Sequence, residues 1–319
     1  MNLPATRSRA VVLASTALLA GTVISGCGAL SDDGGAGNGR RIAAAFYPLQ
    51  YVAERVAGEH FDVDNLTHAG QEPHDLELKV RQTAELTEAA LVVFEHGFQP
   101  AVDAAVEENA EGEVLDVADV VELQPFAEHG HEEEGHEEEA EEGHDDHGDV
   151  DPHFWQDPLL MAELGDAIAS RLADIDPDHA DDFTANAEAL RADMEKLDRD
   201  FTEGLSNCAR DTVVVNHDAF GYLARYGLHL EPISGFSPGA EPTPADLGDL
   251  QELIRHDHIT TVFSETLVSP KTAETLADDL GISADVLDPI EGLTDETKGE
   301  DYVSLMRSNL QRLTRANDC

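Results

Sequence analysis

The sequence predicts an α/β protein of two lobes, each a parallel sheet made of βαβ units, bridged by one long α-helix. Three observations predict it. Short apolar runs alternate with amphipathic segments over residues 41–117. The same alternation restarts at residue 212, and between the two series residues 178–205 keep apolar side chains three and four apart. With 319 residues, the chain can fill roughly two cores.

The elements follow in order. Residues 41–47 read as a strand, 48–57 as a helix, 61–66 as a strand and 78–89 as a helix. Residues 91–94, 99–110 and 113–117 continue as strand, helix and strand. A helix over 159–172 is announced by Asp157, a natural N-cap, with Pro158 at the first helical position. Pro177 opens the long helix, whose stripe is Phe183, Ala187, Leu190, Met194, Leu197 and Phe201. At roughly 40 Å it is longer than one small domain needs, which suits a connector. The second series predicts strands at 212–215, 230–233, 259–263 and 284–287. Its helices are one ending at Tyr226, then 244–256, 271–280 and 302–315.

The domain plan is a signal peptide over 1–26, a tether over 27–39, a first lobe over 40–177, a connecting helix over 178–206 and a second lobe over 207–319. Arg7 and Arg9 precede an apolar run that ends in Ile24-Ser25-Gly26-Cys27. This resembles a bacterial lipoprotein signal, in which the peptide is cut before the cysteine and the cysteine carries lipid. Cys27 is therefore the expected membrane anchor, and the mature protein is expected outside the cytoplasmic membrane. Cys208 and Cys319 remain, and in an oxidising compartment they can pair. Such a bridge pins the end of the last helix to the start of the second lobe.

Composition narrows the partners. The chain has 67 acidic residues against 19 basic ones, a formal net charge of −48, and only four lysines. Nucleic acid is excluded as a partner, because phosphate binding needs the Lys/Arg patches this chain lacks. Residues 126–149 carry His129, His131, His136, His144 and His147 among Glu, Asp and Gly, with no apolar periodicity. They are expected to be a disordered insertion in the first lobe and an auxiliary collector of metal ions.

The main metal candidates lie elsewhere. His74 follows the second predicted strand, His153 the fourth, His217 the first strand of the second series and Glu291 its last. All four sit at strand carboxyl ends, where open α/β sheets bind ligands. Three imidazoles and a carboxylate make a four-coordinate set that suits Zn²⁺, whereas Mn²⁺ prefers more oxygen. Asp75 and Asp218 are candidates to hold the spare ring nitrogens.

The segments Glu72-Pro73-His74-Asp75, Asp151-Pro152-His153-Phe154-Trp155, His217-Asp218-Ala219-Phe220-Gly221-Tyr222, Ser237-Pro238-Gly239-Ala240-Glu241-Pro242 and Ile290-Glu291-Gly292-Leu293 carry a resemblance. Over residues 41–315 they are similar to the zinc-receptor branch of the metal solute-binding lipoproteins of bacterial ABC transporters. The resemblance implies two α/β lobes bridged by a long helix, with a zinc ion between the lobes held by His74, His153, His217 and Glu291. It also implies delivery of the ion to an ABC permease in the cytoplasmic membrane, and no enzymatic activity. Manganese-carrying relatives have a carboxylate at the position of His217. The alternatives are a receptor for manganese or another divalent metal, a metal-dependent adhesin, and a zinc hydrolase with Glu72 or Glu265 as base.

Overall fold

The protein was analysed as a computed structural model, which describes residues 40–126 and 150–319. Cys27 with its signal and tether, and His129, His131, His136, His144 and His147, lie outside the described residues.

The first sheet is built from β1 (Arg41–Ala44), β2 (Asp62–Asn65), β3 (Leu91–Phe94) and β4 (Glu113–Asp116) in the order β2-β1-β3-β4, all parallel. The second repeats the plan with β5 (Thr212–Val215), β6 (His229–Pro232), β7 (Thr261–Ser264) and β8 (Ser283–Val286), ordered β6-β5-β7-β8 and again parallel. The inner strands β3 (LVVF) and β5 (TVVV) are buried at every residue, as expected of parallel strands covered on both faces. The edge strands β2 (DVDN) and β8 (SADV) are polar and partly exposed, which discourages pairing with another chain.

Between the strands run α1 (Tyr47–Ala57), α2 (Val80–Glu88) and α3 (Pro100–Asn109) in the first lobe and α6 (Pro244–His256) and α7 (Lys271–Leu280) in the second, and α8 (Tyr302–Asn317) follows the last strand. Their starts follow local chemistry. Thr243 and Asp246 form a reciprocal capping box at α6, and Asp301 and Ser304 do the same at α8. Gly58 and Gly281 end α1 and α7 at positive φ, where a side chain is disfavoured.

α4 (Pro158–Ile175) begins as expected, with the Asp157 carboxylate accepting the Leu159 N–H at 2.8 Å. α5 (Ala180–Gly204) is the long helix, about 37 Å for its 25 residues. All six stripe residues named from the sequence are buried. α5 packs on α1 and α4 on one side and on α8 on the other, so it touches both lobes. Gly165 on α4 permits close approach, since a Cβ there would stand 2.8 Å from Leu190 Cδ2.

One main core runs from the first sheet through α4 and α5 to Phe220, Phe263, Tyr302 and Met306 of the second lobe. A smaller one, centred on Val214, Ile254, Val262 and Leu276, fills the space under α6 and α7. The Cys208–Cys319 disulfide is present and links residues 111 apart.

Two expectations are corrected. The strand expected over 41–47 stops at Ala44, because Tyr47 and Pro48 already form the first turn of α1. The helix expected to end at Tyr226 is only a 3-10 segment, Gly221–Tyr226, closed by Gly227 at φ 85°. Six residues leave room for tight i to i+3 turns and little more.

Candidate metal centre

The four ligand candidates meet. His74, His153, His217 and Glu291 each offer an atom within 4.8 Å of all the others. Glu291 Oε1 lies 3.4 Å from His74 Nε2, 3.6 Å from His153 Nε2 and 3.3 Å from His217 Nε2. Zinc bonds of about 2.0–2.1 Å in a tetrahedron place ligand atoms about 3.3 Å apart, so the carboxylate already stands at the required separation from each imidazole. The Nε2 atoms of His153 and His217 are buried with no hydrogen-bond partner. Buried polar atoms normally have one, so the two orphaned nitrogens fit a metal ion as their partner.

Two of the candidate ligands, His153 and His217, are aimed by their own local structure. His153 sits on the turn between Asp151 and the 3-10 turn Phe154–Gln156 that leads into α4. Asp151 Oδ1 accepts the His153 backbone N–H at 2.9 Å and faces its ring Nδ1 at 2.7 Å. His217 follows β5, and Glu265, at the end of β7, holds it in the same way, accepting its N–H at 3.0 Å and facing Nδ1 at 2.7 Å. Fixing Nδ1 as donor leaves Nε2 free to bind metal. Behind the rings, Trp155 meets Phe46 and Phe98 edge to face, and the three form a buried aromatic wall.

Glu291 depends on both lobes. Its loop passes through Ile290 at φ 63°, a left-handed conformation that costs a β-branched residue about 1–3 kcal/mol. The surroundings hold it there. Asp288 Oδ1 accepts the Ile290 N–H at 2.8 Å, and Asn309 bonds both the N–H and the carbonyl of Asp288. The Pro289 carbonyl accepts Trp155 Nε1–H at 2.7 Å and Gln156 Nε2–H at 2.6 Å, so the first lobe grips the loop that carries the second lobe's carboxylate.

The four residues named from the sequence come together, and the support of His217 differs from the one expected. Asp75 is exposed and donates its backbone N–H to Glu72, and the Nδ1 partner of His217 is Glu265 rather than Asp218. The signal for Asp151 was present, since an Asp two residues before a His can accept its N–H as an Asx turn. Glu265, considered only as a base, lies 48 residues from His217 and is brought there by the β5–β7 pairing.

Electrostatics follow from this burial. Burial alone would lower the His217 imidazolium, but the charge and hydrogen bond of Glu265, with Glu291 beyond, push it up to about 10. Burial also opposes the His153 cation, and Asp151 overrides it and raises that ring too. Burial would raise the Glu291 carboxyl, yet the three facing imidazoles hold it well below the usual carboxylate range. The metal-free site at neutral pH thus keeps His217 as an imidazolium among carboxylates. Because metal binds neutral imidazole, zinc uptake at pH 7.5 is expected to release at least one proton per ion, and affinity to climb with pH toward about 10 rather than level off near 6.5. Calorimetry in two buffers of different ionisation enthalpy reads the proton count; a count of zero would show His217 already neutral.

The comparisons with known proteins agree with this geometry. The chain is 35% identical over 284 residues to the zinc-binding lipoprotein AdcA of Streptococcus pneumoniae R6, covering 87% of this chain and 56% of that protein. It therefore spans about half the length of that relative. It is 31% identical over 300 residues to the high-affinity zinc uptake system protein ZnuA of Bacillus subtilis 168, covering 91% and 92%. Among solved structures, the Zn(II)-bound ZnuA-like domain of Streptococcus pneumoniae AdcA matches with TM-score 0.72 and 31% identity, over 88% of this chain and 99% of that one. The laminin-binding protein Lmb of Streptococcus agalactiae, described as bifunctional with adhesin and metal-transporting activity, matches with TM-score 0.75 and 28% identity, over 87% and 99%. Residues 42–316 match the family model for ZnuA, zinc-uptake complex component A, periplasmic, and the chain belongs to that family.

Proposed function

We propose that this protein is an extracytoplasmic zinc receptor that captures Zn²⁺ between its lobes and hands it to an ABC permease. One observation carries the reading: three imidazoles converge on the buried carboxylate of Glu291, with the Nε2 atoms of His153 and His217 lacking any other partner. The ligands are His74, His153, His217 and Glu291. Nitrogen-rich, four-coordinate donors favour zinc over manganese. Glu291 fills the fourth position that a hydrolytic zinc keeps for water, which favours a receptor over an enzyme.

The test is titration of the metal-free protein with Zn²⁺, Mn²⁺ and Cu²⁺ by chelator competition, alongside growth of a deletion strain under zinc limitation. Tight binding of one zinc, weak manganese binding and rescue by the intact gene support the reading. Preferential manganese binding, or rescue by a His153→Ala variant, would reject it.

Two attachments complete the proposal. Cys27 carries lipid and holds the receptor at the outer face of the membrane, from the lipoprotein-like Ile24-Ser25-Gly26-Cys27; Cys27→Ser protein that still partitions with membranes counts against it. The histidines 129, 131, 136, 144 and 147 gather zinc weakly beside the main site; a deletion of residues 128–148 that binds as much total zinc as the intact protein counts against that.

A further inference from the structure

One contact between the lobes falls where it governs the aim of His153. Tyr222 belongs to the 3-10 segment of the second lobe, five residues after His217, and is 1% exposed. Its hydroxyl accepts the Gln124 backbone N–H at 3.0 Å and donates to the Asp151 backbone carbonyl at 2.9 Å. Asp151 donates its own N–H to the Gln124 carbonyl at 2.7 Å. A single phenol of the second lobe thus fastens two first-lobe segments at the residue whose carboxylate holds the His153 ring.

Gly221 supplies the space. A Cβ at this position would stand 2.6 Å from Asp151 Oδ2, nearer than real Cβ atoms come. The other oxygen of that carboxylate, Oδ1, is the one that accepts the His153 N–H and faces its Nδ1. Pushing the carboxylate aside turns the ring with it.

We propose that Gly221 and Tyr222 are positioning residues for the metal site. The docked second lobe sets Asp151, Asp151 sets the ring of His153, and His153 presents Nε2 to the ion only when the lobes are in register. A ligand of the first lobe is thereby made conditional on the second lobe, which already contributes His217 and Glu291. The inference rests on the zinc reading given above and adds residues that touch no ligand atom of the site.

A double-mutant cycle on the full chain tests it. Zinc affinity is measured by chelator competition for Tyr222→Phe and Gly221→Ala, each in the intact background and in His153→Ala, with the melting temperature of each metal-free variant. Each substitution is expected to weaken zinc binding about tenfold in the intact background, the scale seen when groups orienting a ligand are lost. In the His153→Ala background the same substitutions are expected to change it less than about twofold, since the ring they aim is gone. Equal losses in both backgrounds, or no loss in the intact one, overturn the proposal. Tyr222→Phe removes one oxygen and keeps the ring, so it decides the matter if Gly221→Ala does not fold. If His153→Ala alone leaves zinc affinity unchanged, the zinc reading itself is what fails.

Discussion

Replacing His217 by alanine is expected to lower zinc affinity about a hundredfold or more. Four-ligand zinc sites reach about 10–16 kcal/mol, so one ligand of four accounts for about 3 kcal/mol, two decades in affinity. The loss has a second source. His217 is fully buried, and its removal leaves Glu265 and Glu291, at 5% and 1% exposure, without the ring that both face. Breaking such a buried pair by removing one partner typically costs about 3–5 kcal/mol, so the metal-free variant is expected to melt well below the parent.

That cost has a definite pH dependence. The His217 ring is raised from its ordinary value to about 10 in the fold, so its stabilising contribution is fully present below about pH 6.5. It is lost as the pH climbs through about 10. The gap in melting temperature between parent and His217→Ala is therefore expected to be widest in mild acid and to narrow on the alkaline side. A gap that widens with pH would contradict a charged His217 in the metal-free protein.

Removing the disulfide is the second large effect. Cys208 and Cys319 are 111 residues apart, and in the chain-entropy view a closed loop of that size is worth about 4–5 kcal/mol. For a domain of this size that corresponds to a fall of about 10 °C in melting temperature. The native contacts around it make the site sensitive. Ala209 and Arg210 donate backbone N–H groups to the Asn317 carbonyl, and the Arg210 guanidinium bonds the Ala316 carbonyl. The Cys208→Ser, Cys319→Ser double variant, scanned by calorimetry in the metal-free state, reads the effect. Equal melting temperatures for variant and parent would show that these hydrogen bonds alone hold the terminus.

The convergence of the four candidate ligands was legible in the sequence for a physical reason. A parallel sheet returns every strand in the same direction, so residues just past the apolar runs arrive at one edge whatever their separation. His217 and Glu291 lie just past such runs, and His74 and His153 lie further on, in the loops that leave the second and fourth strands. The long helix was legible because its six-residue apolar stripe has one period and no interruption. What escaped depends on lateral order. The pairing of β5 with β7 delivers Glu265 to His217, and no local pattern states which strands are neighbours. The grip of Trp155 and Gln156 on the Pro289 carbonyl joins residues more than 130 apart and was equally invisible. The helix expected before Gly227 is replaced by a 3-10 segment because the β5–β6 crossover, which also carries His217, is short.

The site is sealed unevenly, and this bears on exchange kinetics. The His74 side chain keeps 11% of its surface exposed, whereas those of His153, His217 and Glu291 keep at most 1%. On the zinc reading proposed above, a hydrated ion arriving from solvent is expected to meet His74 first and to shed its waters as the deeper residues take over. A hexadentate chelator is too large to follow it inward, so it cannot form a mixed complex with an ion still held by three buried donors. Extraction is then expected to wait on the protein, at a rate independent of how much chelator is supplied.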